Sequence, residues 1–294
     1  MSVTQFGRSY KLTLNNLKTK QAYIFENDLR ITFRGMCSVK ANAGKAKIEI
    51  YNLSEKTRQG IDVKNNKDGT PNLFIELEAG YQDQNEMVVR GKALAYNTWR
   101  PPNVVTCIEV SDGAFEIATS IFNNKYKKGD SYDNVIDALL DSIGLEKGNV
   151  EKIGASLPQN EAFKGRPHKI LQRLGSDLGF RYIVQNSRSN IVRSVSKVQS
   201  TVLLSVQTGL LSKPYIRGNY IIVQCLLNPN IRINEYVTLS HNDFALDGSY
   251  RVLEIKYQGD NFTNKWNMTV TMSIEDQRVL LKEIIDDIGG PTFV

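Results

Sequence analysis

The sequence predicts a mainly β chain with a small α/β insert. Three observations carry this. Apolar residues alternate at every second position through the first third of the chain. From about Ser111 they recur at helical spacing, and near Thr201 the alternation returns. Strand side chains point alternately to two faces, whereas a helix brings positions three and four apart onto one face. The change of period therefore marks a change of element type.

The stretch Gly35–Ile61 holds the clearest early unit. Ala46, Ile48 and Ile50 face one way, and Lys45, Lys47, Glu49 and Tyr51 the other, as expected of a strand with one buried face. Ser54 suits an N-cap and Glu55 the positive first turn, so a short helix is expected to run to about Ile61. Around this unit, Tyr10, Leu12 and Leu14 alternate with Lys11 and Thr13, and Leu29, Ile31 and Phe33 with Arg30, Thr32 and Arg34. Leu73, Ile75, Leu77 and Ala79 form a further face. Met87–Arg90 and Lys92–Trp99 read as two shorter strands split by Gly91, and Val104, Thr106, Ile108 and Val110 close the set. Half-buried antiparallel strands of this length need closure or packing, which suggests a barrel or a sandwich.

In the insert, Val135, Ile136, Leu139, Leu140 and Ile143 follow helical spacing between Ser131 and Gly144. A second helix opens at Pro167, carries Ile170, Leu171, Leu174 and Leu178, and stops at Gly179. Phe180–Val184 and Asn190–Val192 form a predicted hairpin around Gln185–Ser189. Strands then return with Ile221, Val223, Cys225 and Leu227 before an Asn228–Asn230 turn. Val237 and Leu239 follow, then Leu253, Ile255 and Tyr257, and finally Trp266, Met268, Val270, Met272 and Ile274. The polar loop Gly259–Asn264 makes the last two a hairpin.

Composition narrows the function classes. With 41% hydrophobic and 23% charged residues in 294 positions the chain is an ordinary globular one, long enough for two or three domains. No apolar run approaches the ~18 residues of a membrane helix, and the first residues, MSVTQFGRSYK, lack the apolar core of a secretory signal, so synthesis and assembly in a cytoplasm are expected. The net charge of +6 comes from scattered Lys and Arg rather than a basic tract. Aromatics lie on the presumptive core faces rather than in a basic-interleaved platform for single-stranded nucleic acid. Cys37, Cys107 and Cys225 are odd in number and far apart, which points to free buried thiols.

Chemistry-bearing patterns are sparse. His168 and His241 fall in different regions, which speaks against a histidine metal cluster. Ser240, His241 and Asp243 lie together in a loop, without the spacing of a known triad. Gly129–Asp133 lacks the second glycine of a nucleophile elbow, and Gly44–Lys45 and Gly91–Lys92 lack the rest of a phosphate loop. Glu76 with Glu78, and Glu109 with Asp112, are the carboxylate pairs a glycosidase could use. Strand alternation explains the first pair and a strand end at Gly113 the second. The residues thus predict no catalytic group, no cofactor and no metal site.

The last periodic element runs from Asp276 to Ile288, stopped by Gly289, Gly290 and Pro291. Leu281, Ile284, Ile285 and Ile288 form an apolar stripe beside Lys282, Asp286 and Asp287. This stripe either packs on its own domain or, with Phe293 in the trailing segment, forms a partner interface.

The order of several pieces carries a resemblance. KAKIEIYNLSEKTRQGI is followed by LFIELEAGYQD, VVRGKALAYNTWRPPNVVTCIEVSDGA and YKKGDSYDNVIDALLDSIGLEKG. Later come QTGLLSKP, QCLLNPNIRINEYVTLS and GSYRVLEIKYQGDNFTNKW. From about Lys45 to Ile274 the chain resembles a baseplate hub protein of contractile-tailed bacteriophages. The resemblance implies a non-enzymatic structural protein with two tube-like β-barrel domains flanking a small α/β linking region. On that basis the chain divides into 1–112, 113–198, 199–275 and a C-terminal helix and tail, 276–294. It further implies a homotrimeric ring with a pseudo-sixfold face for the tail tube protein and a threefold face for the central spike protein. Other baseplate proteins would surround it, and genome DNA would pass through the lumen without specific binding. The alternatives are a tail-associated cell-wall hydrolase and a DNA-binding module.

Overall fold

Eighteen strands and four α-helices are present among the residues described by the computed structural model, which are 7–39, 43–61, 71–82, 84–193, 202–240 and 246–274. The first region comprises β1 (Arg8–Asn16), β2 (Ala22–Glu26), β3 (Ile31–Ser38), β4 (Gly44–Tyr51), α1 (Glu55–Ile61), β5 (Leu73–Tyr81), β6 (Gln84–Arg100) and β7 (Asn103–Asp112). The insert contains α2 (Ala114–Thr119), β8 (Phe122–Tyr126), α3 (Tyr132–Ile143), β9 (Glu146–Val150), β10 (Glu161–Gly165), α4 (Pro167–Leu178), β11 (Phe180–Gln185) and β12 (Arg188–Arg193). The last region holds β13 (Val202–Leu204), β14 (Tyr215–Arg217), β15 (Tyr220–Leu226), β16 (Tyr236–Leu239), β17 (Gly248–Asp260) and β18 (Trp266–Ser273).

Local chemistry sets most of these boundaries. The Ser54 hydroxyl accepts the Thr57 N–H at 3.2 Å and starts α1, while Asn52 takes a left-handed turn (φ 58°) between β4 and that helix. Ser131 caps α3 by accepting the Asp133 N–H at 3.1 Å, and Gly144 ends it at φ 77°. The β11–β12 hairpin turns on Asn186 and Ser187, both at positive φ, as a two-residue turn matched to strand twist requires.

The alternating faces predicted for β1, β4 and β5 are buried as expected: Tyr10, Leu12 and Leu14; Ala46, Ile48 and Ile50; Leu73, Ile75, Leu77 and Ala79. Two expectations are corrected. Gly91 does not split β6, which runs unbroken for 17 residues. A Cβ at Gly91 would sit 2.7 Å from the Ser111 carbonyl oxygen, so this glycine permits a close approach of β6 and β7 rather than breaking a strand. In β17 the buried face is not Leu253, Ile255 and Tyr257 throughout. Tyr250 and Val252 are buried before an irregularity in the pairing with β18 between Val252 and Glu254, and Ile255 and Tyr257 after it. The extra residue of a bulge shifts the phase of the alternation and leaves Leu253 half-buried.

The main sheet has thirteen strands, in the path β14-β15-β18-β17-β3-β4-β7-β6-β5-β1-β2, with β13 and β16 attached beside β17. The first and last β regions are thus joined edge to edge. β3 pairs antiparallel with β17, with Gly35 opposite Tyr257 and Phe33 opposite Gly259. One hydrophobic core spans both regions, from Ile48, Ile75 and Leu77 to Val223, Trp266 and Val270. The insert has its own core, in which Val135 and Leu139 of α3 join Leu171 of α4, Phe163 and Ile191. Its β9–β12 pairing is parallel, and β8, β9, β10 and α2 are elements that periodicity did not reveal. They are five or six residues each, too short to show a period.

Candidate functional site

The interface residues expected from sequence, Leu281, Ile284, Ile285, Ile288 and Phe293, lie outside the described residues, as do His241 and Asp243. His168 is buried near the start of α4. Burial and the charges of Arg166 and Lys169 hold its imidazole below the usual range, favouring the neutral ring. The two carboxylate pairs do not become acid–base pairs. Glu76 is held by Arg90 at 2.9 Å. Glu109 and Asp112, three positions apart on β7, point to opposite faces. Glu109 is exposed and accepts the Tyr96 hydroxyl at 3.1 Å, whereas Asp112 is buried. Among the described residues no group of three or more His, Cys, Asp or Glu side chains could hold a metal ion, and no helix is long and apolar enough to cross a membrane.

Asp112 instead joins the insert to the sheet. Its carboxylate accepts the backbone N–H groups of Asn186, at 2.7 Å, and of Ser187, while the Ser187 hydroxyl donates to the Arg90 carbonyl at 3.2 Å. Burial pushes Asp112 up to about 6 against the opposing pull of those N–H groups. Beside it, Arg90 makes two bonds to Glu146, at 2.9 and 3.1 Å, and Arg188 approaches the same carboxylate at 3.2 Å. These two guanidinium groups hold Glu146 down at about 2.

The most distinctive surface is the outer face of the main sheet. Pairing registers place Lys256, Met36, Lys45, Ser111 and Lys92 on one rung across five strands. Gln258, Arg34, Lys47, Glu109 and Leu94 form the next. Between this face and α2 lies a groove of about 950 Å³ whose charged lining is five cations (Arg34, Lys45, Lys47, Lys92, Lys256) and one carboxylate, Glu109. Met36, Leu94 and Phe115 supply apolar surface in it. Lys92 bonds Glu116 at 2.9 Å with its ammonium 4.7 Å from the Phe115 ring, and Lys256 bonds Glu254 at 2.9 Å. Lys47 is held above the usual lysine range by its hydrogen bond with Tyr96. Arg34 and Lys45 are exposed and have no ion pair among the described residues. The sequence hid this face because its cations are scattered along the chain until strand pairing gathers them.

A family model described as "Baseplate hub gp41" matches residues 11–272, which takes in both β regions and the insert. A comparison with the curated proteins finds no match. The fold is similar to that of the 43 kDa tail protein of prophage MuSo2 from Shewanella oneidensis (TM-score 0.64, 11% identity, covering 89% of this chain and 96% of that one). It is equally similar to a tail protein from Neisseria meningitidis MC58 (TM-score 0.64, 7% identity, 91% and 97% covered). An E. coli component of the type VI secretion system shares it as well (TM-score 0.57, 10% identity, 83% and 73% covered). At such identities these structures speak to the fold alone, and it is the family match over most of the sequence that assigns the chain: it belongs to the baseplate hub gp41 family of phage tail structural proteins.

Proposed function

We propose that this protein is the trimeric hub of a contractile tail. Its two β regions, residues 1–112 and 199–275, act as tube-like barrel units linked by the insert, 113–198. Three chains close a ring that adapts a sixfold tail tube to a threefold central spike. The ring leaves a channel through which genome DNA passes without specific binding. It is assembled in the host cytoplasm, contacts other baseplate proteins, and performs no catalysis. Segment 276–294 docks to a neighbour through Leu281, Ile284, Ile285, Ile288 and Phe293.

The observation that carries this reading is the family match across residues 11–272, which leaves neither β region outside it. The continuous sheet supports it. A chain whose two β regions pair through β3 and β17 can carry load across that seam by backbone hydrogen bonds rather than by a hinge. Closed symmetry is the ordinary way for sheets with exposed strand edges to find partners.

The test is the native mass of the purified full chain, alone and with spike and tube proteins. Three times the chain mass, in a particle that binds both partners, is expected. A chain that stays monomeric with both partners present overturns the reading.

A further inference from the structure

We infer that the basic groove on the outer face of the main sheet receives the acidic, apolar segment Asp276–Ile288 of a second copy of this chain. The inference rests on the reading of that segment as a docking element and names the surface it docks to.

The groove and the segment carry opposite charge. The groove is lined by five cations and one carboxylate, and two of the cations, Arg34 and Lys45, lack an ion pair among the described residues. The segment 275–294 carries five carboxylates (Glu275, Asp276, Glu283, Asp286, Asp287) against Arg278 and Lys282. An acidic partner is what this lining selects, and the chain contains one.

The two also share a spacing. On the predicted helix, Asp276, Glu283 and Asp287 stand at i, i+7 and i+11 and form one row along the flank of the stripe Leu281, Ile284, Ile285 and Ile288. At 1.5 Å per residue that row is about 16 Å long, in intervals of about 10 Å and about 6 Å, the first of which matches the lysine spacing. On the sheet, Lys256, Lys45 and Lys92 share one rung at intervals of two strands. With neighbouring strands ~4.8 Å apart, that places the lysines ~10 Å apart over ~19 Å. A helix laid across the strands sets Asp276 and Glu283 over neighbouring lysines of the rung and turns the adjoining edge of its stripe, Ile284 and Ile288, toward Leu94 on the next rung and Phe115.

The groove is also mixed in character. A duplex backbone asks for cations and leaves Met36 and Leu94, both about 40% exposed, without partners, whereas an amphipathic helix uses both kinds of surface. The occupant is a second copy because β18 runs from Asn267 and Thr269, which line the groove, toward Ser273. Through Ser273 the strand thus runs away from its own groove, toward which the following segment would have to turn back.

The experiment uses the full chain and measures self-association by sedimentation. Lys45→Glu with Lys256→Glu is expected to weaken it at least tenfold, as is Glu283→Lys with Asp287→Lys, and the fourfold charge swap to restore it. Lys45 and Lys256 are exposed, and far-UV circular dichroism checks that each variant folds. In parallel, chains carrying only Lys45→Cys are mixed with chains carrying only Asp287→Cys, and oxidation is expected to yield a covalent two-chain species. Weakening by the tail pair but not the groove pair overturns the groove as the acceptor and leaves the docking reading standing. No weakening by either pair overturns both. Loss of duplex DNA retention by the groove pair, with self-association unchanged, overturns the inference in favour of a nucleic-acid contact. Absence of the two-chain species on mixing overturns the assignment to a second copy.

Discussion

Arg30 and Asp260 are 230 positions apart in the chain, and their side chains meet at 2.9 Å. The contact clamps the β17–β18 loop onto the entry to β3. The Arg30 guanidinium also lies 4.7 Å from the Tyr51 ring and 5.9 Å from that of Phe262. The neighbouring Asn261 adds two bonds, accepting the Ile31 N–H at 2.9 Å and donating to the Leu29 carbonyl at 2.8 Å. Arg8 donates to the Thr263 carbonyl. The hairpin loop is therefore part of the seam between the first and last β regions.

Asp260→Asn is expected to lower stability by about 1.5–3 kcal/mol, the range for losing a hydrogen bond to a charged group. Burial pushes the Asp260 carboxyl up, but the Arg30 bond and charge and the Phe262 N–H outweigh it and hold the carboxyl below the usual range. A depressed carboxyl contributes stability that is present above the ordinary aspartate pKa and lost as pH falls through the folded value. The gap between wild type and Asp260→Asn in urea midpoint should therefore close on acidification. A gap independent of pH would mean that the ion pair does not stabilise the seam.

The same seam is packed through two glycines. A Cβ at Gly35 would lie 2.3 Å from the Tyr257 hydroxyl oxygen, and one at Gly259 would lie 2.1 Å from the Phe33 ring, each aromatic being the glycine's cross-strand partner. Phe33 in turn meets Trp266 edge-on at 5.2 Å. Gly259→Ala forces that aromatic cluster apart and is expected to cost about 1–3 kcal/mol by overpacking. Thermal unfolding measures it. A melting temperature equal to the wild type's would show that the ring has room to move.

Asp112 and Glu146, both at the joint between sheet and insert, are expected to respond to pH in opposite senses. Asp112 is raised to about 6 from 3.8, so its contribution to stability is full below pH 3.8 and is lost as pH rises through 6. The difference between those limits is on the order of 3 kcal/mol. Asp112→Asn cannot ionise and should flatten the urea midpoint between pH 4 and 7. Glu146 is lowered to about 2, so its contribution is present above pH 4.5 and lost toward pH 2. Its carboxylate is half exposed, so Glu146→Gln should cost under ~1 kcal/mol at pH 7. Parallel slopes for the two variants would contradict this assignment.

Glu76→Ala, Glu109→Ala and His168→Ala, made singly, are expected to leave wall-degrading activity of the assembled particle unchanged. Glu76 serves an ion pair, Glu109 meets a tyrosine hydroxyl on the outer face, and His168 lies buried near the start of α4. Zymography of particles carrying each change checks the point. Loss of peptidoglycan clearing by a correctly assembled particle would identify that residue as catalytic.

The local order of the chain was legible in its residues because local physics sets it. Alternation marks β1, β4, β5 and β18, Ser131 and Gly144 bound α3, and Pro167 and Gly179 bound α4. A strand period or a helix cap is a relation among residues a few positions apart, and these residues satisfy it without help from the rest of the chain. Gly91 and Leu253 misled for the converse reason. Whether a glycine breaks a strand or admits a neighbour, and whether a strand holds its phase or bulges, depends on what lies opposite. Tertiary structure alone decided that β3 pairs with β17, which turns two β regions separated by an insert into one sheet with one core. It also decided that Arg34, Lys45, Lys92 and Lys256, scattered along the sequence, stand together in one groove. Strand pairing brings together residues from any distance along the chain, and no period within a single strand records which edge it will meet.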